Sequence, residues 1–551
     1  MAGGGDFVDM STSSVITSDA MLDSILQNGE EDPGNQDGRE RSEEKLQRVT
    51  LSYTPTYQRF RAKARTFTQQ YSHMYTNRLR LMRPMLEAAA TAKWGTGAPD
   101  GKEGEDAPTL CQKIIDLVDG ARTSMVIGTI FKDMPLRPSL LDEYRDEAAL
   151  QGALQPAPGP DTNYTSSEDT LVLEDESGRV TLSGEALPVG DFVTGLVVAA
   201  KGRAVGGRFF VEDVCAAGMP EQEAGPEGGV EGGVEGEAEG GRGREPQYVM
   251  LMSGLRLSDR SDLLPLQLLI DYVQGHAGTA DEKRRLVSRI GRVIVAGDLL
   301  APFEASILKE KHMTSKQQEE FALPFKHVDL VLAQLASAVP VDVMPGADDP
   351  SNHTLPQQPI HPCILPHASR YASFKTVPNP YEAWLQRRLF LGNAGQIPAD
   401  LARSTAPPSL PSSPASSAAR TLDLMEKTLH WRHLAPTAPD TLACYPFCDD
   451  DPFVLPSLPH VYFAGNQPAF AARLVEEGKE GGAEGKEGKK CLLVAVPSFA
   501  ETGTVVLVNL SDLTATPLHF KGLPAQRQER EGKGGEGEEM EVEEGEGEEE
   551  N

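Results

Sequence analysis

Val339-Pro-Val-Asp-Val-Met-Pro-Gly-Ala-Asp-Asp349, continued by Pro350-Ser-Asn-His-Thr-Leu-Pro-Gln-Gln-Pro-Ile-His361, decides how this chain is read. Val339, Val341 and Val343 alternate with Pro340 and Asp342, which is the period of a strand. The run stops at Pro345-Gly346 and opens into a loop crowded with prolines and polar groups. Two aspartates, Asp348 and Asp349, and later His361 stand beyond the strand's carboxyl end. Open α/β sheets put their sites at such ends, and carboxylate and imidazole are donors that divalent metals accept.

The neighbouring sequence repeats the pattern. Tyr248–Leu255 reads as a buried strand ending Ser253-Gly254-Leu255, and Ile290–Gly297 as a second, followed by Asp298. Apolar periodicity predicts helices over Leu263–Val273 and His327–Ala338. Strands alternating with helices imply βαβ units and a parallel sheet. Further strands are expected at Arg388–Gly392, His460–Gly465, Lys490–Pro497 and Thr504–Asn509, which extends this domain over 248–525. Within it, Pro/Ser/Ala-rich 401–419 and Glu/Lys/Gly-rich 476–490 read as flexible insertions.

Upstream the period changes. Short strands are expected at Ser124–Lys132, Thr170–Asp175, Arg179–Ser183, Phe192–Gly202 and Gly207–Cys215. About five short strands in about 100 residues suit a small closed barrel of the OB type, spanning 108–220. Such barrels bind single strands through aromatics and basic groups, so Lys201, Arg203, Arg208, Phe209 and Phe210 are nucleic-acid candidates. The bland alternative is core aromatics plus surface charge. Before the barrel, 47–96 holds a short strand near Arg48–Tyr53 and a helix from Thr66 to Trp94. The helix has an apolar stripe at Tyr71, Met74, Tyr75, Leu79, Met82 and Leu86, with Pro84 expected to kink it. Arg61, Lys63, Arg65, Arg78, Arg80 and Arg83 read as a solvated or docking face.

The chain of 551 residues carries a net charge of −30, concentrated locally. Residues 1–46, the Gly/Glu linker 221–247 and the tail 526–551, with twelve Glu after Arg527, have too little apolar content to order themselves. Acidity on this scale argues against strong non-specific DNA binding. Six cysteines, of which only Cys444 and Cys448 lie close together, read as reduced thiols rather than a zinc site. No run of about 18 apolar residues marks a membrane span, and no membrane partner is expected.

Metal-dependent phosphoesterases of the calcineurin-like kind hold two metals roughly 3.5–4 Å apart. Their ligands arrive at strand ends as Asp-x-His, Gly-Asp-x-x-Asp, Gly-Asn-His-Asp/Glu and Gly-His-x-His. Here the strand-end layout persists with other residues. Ser253 and Leu255 replace the first pair, Asp298 keeps one carboxylate, and Ala301 stands where the next belongs. Ala347 and Asp348 occupy the third end, Asn466 and Pro468 the last. Leu, Ala and Pro cannot ligate a metal, and Asp298 alone cannot hold two. No catalytic residue, metal or cofactor is therefore expected.

Specific segments carry a family resemblance: Gln70-Tyr-Ser-His-Met-Tyr75, Val126-Ile-Gly-Thr-Ile-Phe-Lys132, Ser337–Gly346, Thr354-Leu-Pro-Gln-Gln-Pro359, His361-Pro-Cys363, Pro436–Leu442 and Cys444-Tyr-Pro-Phe447. The chain resembles the small, second subunits of DNA polymerase delta over about 50–220 and 248–520. The resemblance implies an OB-type β-barrel followed by a calcineurin-like α/β sandwich that lacks its metal ligands. It also implies a nuclear, non-catalytic scaffold in replication and repair synthesis. The implied partners are the cysteine-rich C-terminal domain of the catalytic subunit and the third subunit, with the sliding clamp and DNA reached indirectly. Pro345, Gly346, Pro356, Pro359 and His361 would then form a rigid structural or docking loop. Asp298 departs from the family's pattern and is read as drift in a dead site. The competing readings are a single-strand DNA-binding protein and an active binuclear phosphoesterase or nuclease.

Overall fold

The computed structural model describes residues 47–62, 70–95, 108–120, 122–137, 162–185, 187–226, 246–258, 260–302, 314–407, 413–447, 449–477 and 488–521. The expectations for 1–46, for most of 221–247 and for 526–551 fall outside these ranges, as do Lys63, Arg65 and Cys448.

The chain begins with β1 (Tyr53–Pro55) and α1 (Ser72–Trp94), which runs unbroken through Pro84. Six strands follow: β2 (Thr109–Cys111), β3 (Ser124–Asp133), β4 (Thr170–Glu174), β5 (Arg179–Ser183), β6 (Val197–Val205) and β7 (Arg208–Cys215). Their order is β2-β3-β4-β5-β7-β6, and β3 also pairs with β6, so five of them close a barrel. Closure needs a sharp bend. It falls at Gly202, where the β6–β7 register slips and a Cβ would lie 2.0 Å from the Phe210 carbonyl. The strand expected from Phe192 starts only at Val197, because Gly195, at φ +84°, turns the chain first. Phe209 fills the barrel interior, while Phe210 faces out.

Two further sheets stack as a sandwich. The first contains β8 (Tyr248–Met252), β9 (Ile290–Ala296), β10 (Val341–Met344), β11 (Phe374–Thr376), β17 (Thr504–Asn509) and β18 (Thr514–His519), ordered β11-β10-β9-β8-β17-β18. The second contains β12 (Tyr381–Leu385), β13 (Arg388–Asn393), β14 (Val461–Gln467), β15 (Ala471–Glu477) and β16 (Lys489–Pro497), with β1 added at its edge as β1-β12-β13-β14-β16-β15. Strand periodicity sorts the core. Val249, Leu251, Ile294 and Ala296 face Phe390, Phe463 and Leu493 of the second sheet. Met250, Met252, Val293, Val295, Val341 and Val343 face α2 (Leu264–Gln274) and α4 (Ser315–Ala338), which follows the short α3 (Ala280–Arg285). Each such side chain, fully buried, is worth about 1.5–3 kcal/mol.

Asp342 lies between the sheets, where the alternation would place an apolar residue. Its carboxylate accepts from Arg292 of β9 at 2.7 Å and from the Tyr381 hydroxyl of β12 at 2.9 Å. The Arg292 guanidinium sits over the Tyr53 ring at 3.9 Å, which ties the amino-terminal strand to both sheets.

The stretch 401–419 corrects its expected flexibility. It is helical on both sides, in α5 (Gln396–Ser404) and α6 (Pro414–Trp431), and only 408–412 fall outside the described residues. The cause is local: Ser413 and Ser416 form a capping box around Pro414 at the first position of α6. The ends of 476–490 are likewise ladder residues, with Glu476 opposite Lys490 and Glu477 opposite Lys489.

Arg78 is the largest departure from the expected solvated face. It is fully buried between α1, the barrel and the sandwich. Its Nε donates to Asp451 at 2.8 Å, Nη1 to the carbonyls of Gly195 at 3.1 Å and Pro436 at 2.7 Å, and Nη2 to that of Ala438 at 2.8 Å. Close approach there requires Gly195, since a Cβ would lie 2.0 Å from the Pro436 oxygen. A second buried pair, Lys132 with Asp169 at 3.4 Å, crosses the same boundary, because the ammonium also donates to the Ser404 carbonyl at 2.9 Å.

His460 enters β14 buried, with Nδ1 accepting from the Leu389 amide at 3.1 Å. Burial, aided by Arg388, lowers its pKa from 6.5 to about 4. A depressed histidine contributes stability above its unfolded value and loses it as pH falls toward the folded one. His460→Asn keeps an acceptor but no titration. Denaturant unfolding should show the gap between wild type and this variant narrowing by up to about 3 kcal/mol from pH 7 to pH 4. A gap independent of pH would refute the assignment.

Candidate functional site

The carboxyl ends of β8, β9, β10 and β14 converge. Backbone pairing continues past the first two: Gly254 N–H donates to Gly297 at 3.0 Å, Arg256 to Asp298 at 3.0 Å and Leu257 to Leu299 at 2.9 Å. Three non-glycine residues take left-handed conformations at these ends: Arg256 at φ +43°, Asp298 at +53° and Asn466 at +57°. Such backbone costs roughly 1–2 kcal/mol per residue and persists only where the surroundings hold it.

The structure brings together Ser253, Asp298, Gly346, Ala347 and Asn466. The Ser253 hydroxyl donates to Val496 and Pro497 carbonyls at 3.2 and 3.1 Å and accepts from the Asn466 amide at 2.8 Å. The Asn466 side chain donates to the Ala394 carbonyl at 2.8 Å. The Asp298 carboxylate accepts from Ala347 N–H at 2.8 Å, and Arg256 reaches it at 3.7 Å while pairing with Glu501 at 2.8 Å. Burial raises the Asp298 carboxyl, and nearby Asp348 adds to that. Leu255 is not part of this cluster. It is 2% exposed and packs in the helix-facing core. Ala347 and Pro468 are exposed, Ala301 and Asp348 half-buried.

Two metals do not fit this arrangement. A Cβ on Gly346 would lie 2.0 Å from the Asp298 Oδ1, and one on Gly297 would lie 2.7 Å from Gly346 Cα. The β9 and β10 ends therefore approach each other backbone to backbone at Gly297 and Gly346. Among the described residues no group of three or more His, Cys, Asp or Glu is placed to hold a metal ion.

Asp349, at the Asp/Glu position of the Gly-Asn-His-Asp/Glu pattern, ties two of these ends together. It is 6% exposed. Its Oδ1 accepts from the amides of Leu299 at 2.8 Å and Leu300 at 3.3 Å, and its Oδ2 from that of Gly346 at 2.8 Å. Burial pushes its pKa up to about 7, opposed by those three N–H groups. A second local signal is its place three residues after Gly346, the spacing of a side chain that bonds back to a turn.

The loop expected to dock is largely internal. Pro345, Gly346 and Pro356 are buried, Pro359 is half-buried, and of these candidates only His361 is exposed. Gln357 donates to the Gly346 carbonyl at 2.8 Å and accepts from Asn379 at 2.8 Å and Gln396 at 2.9 Å. Gln358 binds the Phe60 carbonyl at 3.1 Å and the Ala62 amide at 3.0 Å, which locks the amino-terminal segment onto the loop.

On the barrel, Arg203 and Phe210 are cross-strand neighbours, as are Val205 and Arg208. Arg203 is engaged by Glu212 at 3.3 Å, and half-buried Lys201 lies opposite Asp213. Phe210 and Arg208 are exposed. Among the described residues no helix is long and apolar enough to cross a membrane.

A closed barrel joined to a two-sheet sandwich is the frame in which the comparisons with polymerase accessory subunits fall. The family model for the B subunit of DNA polymerases alpha and epsilon matches residues 249–472, and that for the OB-fold domain of the DNA polymerase delta subunit matches 70–214. The DNA polymerase delta small subunit of Arabidopsis thaliana is 38% identical over 482 residues, covering 87% of this chain and 98% of that one. Its counterpart in Oryza sativa subsp. japonica is 36% identical over 86% of this chain and 99% of its own. DNA polymerase delta subunit 2 of Drosophila melanogaster is 36% identical over 86% and 98%. The chain belongs to the DNA polymerase delta small-subunit family.

Proposed function

We propose that the chain is a non-catalytic accessory subunit of a nuclear DNA polymerase delta complex. Its sandwich is of the calcineurin-like phosphoesterase type with the catalytic site lost. It holds the cysteine-rich C-terminal domain of the catalytic subunit and the third subunit, and through them reaches the sliding clamp and DNA. The observation that carries this reading is the strand-end cluster. At these strand ends Ala301, Ala347 and Pro468 cannot ligate a metal, Leu255 packs away in the helix-facing core, and the Asp298 carboxylate is bonded to a backbone amide. The proposed domain limits are 108–220 for the barrel and 248–525 for the sandwich, to whose second sheet β1 (Tyr53–Pro55) is added.

Co-expression with the catalytic subunit's C-terminal domain should give a stable one-to-one complex. The purified chain should show no Mn²⁺-dependent hydrolysis of a phosphodiester. Stoichiometric Mn²⁺ or Zn²⁺ with hydrolysis abolished by Asp298→Ala would reverse the reading in favour of an enzyme. Tight oligonucleotide binding at physiological salt, lost in Phe210→Ala, would instead favour the single-strand reading.

A further inference from the structure

Charge is placed unevenly on this molecule. From Pro350 to Tyr381 there is no Asp or Glu, although 82 of the 551 residues are acidic. The same stretch holds Arg370, Lys375 and three histidines. It wraps one edge of the sandwich. After β10 it passes through two short turns, Pro362–Ile364 and Ala368–Arg370, and ends in the edge strand β11. Asp329 of α4 pins the second turn. Its buried carboxylate accepts from the amides of His367 at 2.9 Å and Ala368 at 2.8 Å. That pinning leaves His361, Arg370, Tyr371 and Lys375 exposed, and α4 adds exposed Lys326 one turn before Asp329. Tyr371 is 40% exposed, a large apolar ring set among the cations.

We propose that this edge is a docking surface for an acidic segment, and that in the free chain its occupant is the chain's own C-terminal tail. Charge favours the tail, because twelve Glu follow Arg527 against Arg530 and Lys533. Its starting point favours it as well. β18 is antiparallel to β17 and β17 to β8, while β8, β9 and β10 are parallel. The chain therefore leaves β18 at the end of the sheet where β10 opens into the loop carrying His361. β18 and β11 are the two edges of this six-stranded sheet. At about 4.8 Å per strand spacing they lie about 24 Å apart. Residues 522–551 extend over as much as roughly 100 Å, so the glutamates reach the far edge. Exposed ion pairs contribute only about 0–1 kcal/mol each. Tethering offsets that weakness, because it holds the tail at an effective concentration in the millimolar range.

The test uses the full-length chain at high dilution. A carbodiimide, which joins carboxylates to amines without a spacer, should link tail glutamates to Lys375 and Lys326. Cys363 supplies a second readout, since among the described cysteines it alone is exposed. Its alkylation by iodoacetamide, followed by peptide mass, should be about threefold or more slower than in a full-length variant whose glutamates from Glu536 to Glu550 are replaced by Gln, and about 0.5 M NaCl should erase the difference. Arg370→Gln with Lys375→Gln should likewise remove most of the difference between the two tails. Equal Cys363 rates at low salt, or tail cross-links confined to other lysines, would overturn the proposal. Cross-links only between isotopically distinct chains would overturn it in favour of a second copy. Protection of Cys363 by an added oligonucleotide but not by the tail would overturn it in favour of nucleic acid.

Discussion

Arg78→Met is expected to lower the unfolding free energy by about 3–5 kcal/mol, because removing one partner of a buried ion pair leaves the other charge uncompensated. The residue left behind is Asp451, which is 2% exposed. Burial alone would raise its carboxyl, but His433 and Arg78 overturn that and hold it well below its ordinary 3.8. Burial, aided by Arg78, lowers the His433 pKa from its ordinary 6.5, opposed by Asp451, and its Nε2 lies 3.0 Å from the carboxylate. The carbonyls of Gly195, Pro436 and Ala438 also lose their donor. A depressed carboxyl stabilises the fold above its unfolded value and loses that contribution as pH falls below about 3.8. In Arg78→Met this acid-sensitive component should shrink. Adding Asp451→Asn should recover part of the loss, since it neutralises the stranded charge. Arg78→Lys should not rescue, because one ammonium cannot reach acceptors spread around a planar guanidinium. Equilibrium denaturation of the three variants decides the matter, and a loss below about 1 kcal/mol, the range of an exposed pair, would refute it.

Asp342→Ala should cost a similar amount, about 3–5 kcal/mol, by stranding Arg292, which is 6% exposed. It also removes the acceptor of the Tyr381 hydroxyl and leaves a void between the sheets. Asp342→Asn keeps the volume and one acceptor and should cost clearly less. Arg292 also stacks on Tyr53, so the loosened guanidinium should weaken the hold on β1. The expected signature is faster amide exchange at the Tyr53–Pro55 edge than in Arg78→Met. Equal exchange there in both variants would show that the carboxylate does not anchor the first strand.

Much of this molecule is legible before it is folded. The Val339–Val343 alternation, the βαβ rhythm from Tyr248 and the short barrel strands each obey a local period. The signal for Arg78 was also present, though easily misread. It lies four residues from both Met74 and Met82, on the apolar stripe rather than beside it. An arginine there is either an error of periodicity or a buried ion-pair partner, and nothing in α1 names Asp451, 373 positions away. The Pro/Ser/Ala composition of 401–419 outweighed the capping signal of Ser413, Pro414 and Ser416.

The site divides in the same way. Which ligand types are missing is a property of residue identity, so Leu255, Ala301 and Pro468 set the expectation of no binuclear centre without coordinates. Composition also marked Thr354–Pro359 as stiff. Only the tertiary structure decided that this stretch bonds to Phe60, Gly346 and Asn379. It alone decided that Asp349 closes the strand ends and that Arg78 joins barrel to sandwich. Periods of 2 and 3.6 report which face of an element is buried. A buried charge is placed by partners far away in sequence, and no local pattern encodes their position.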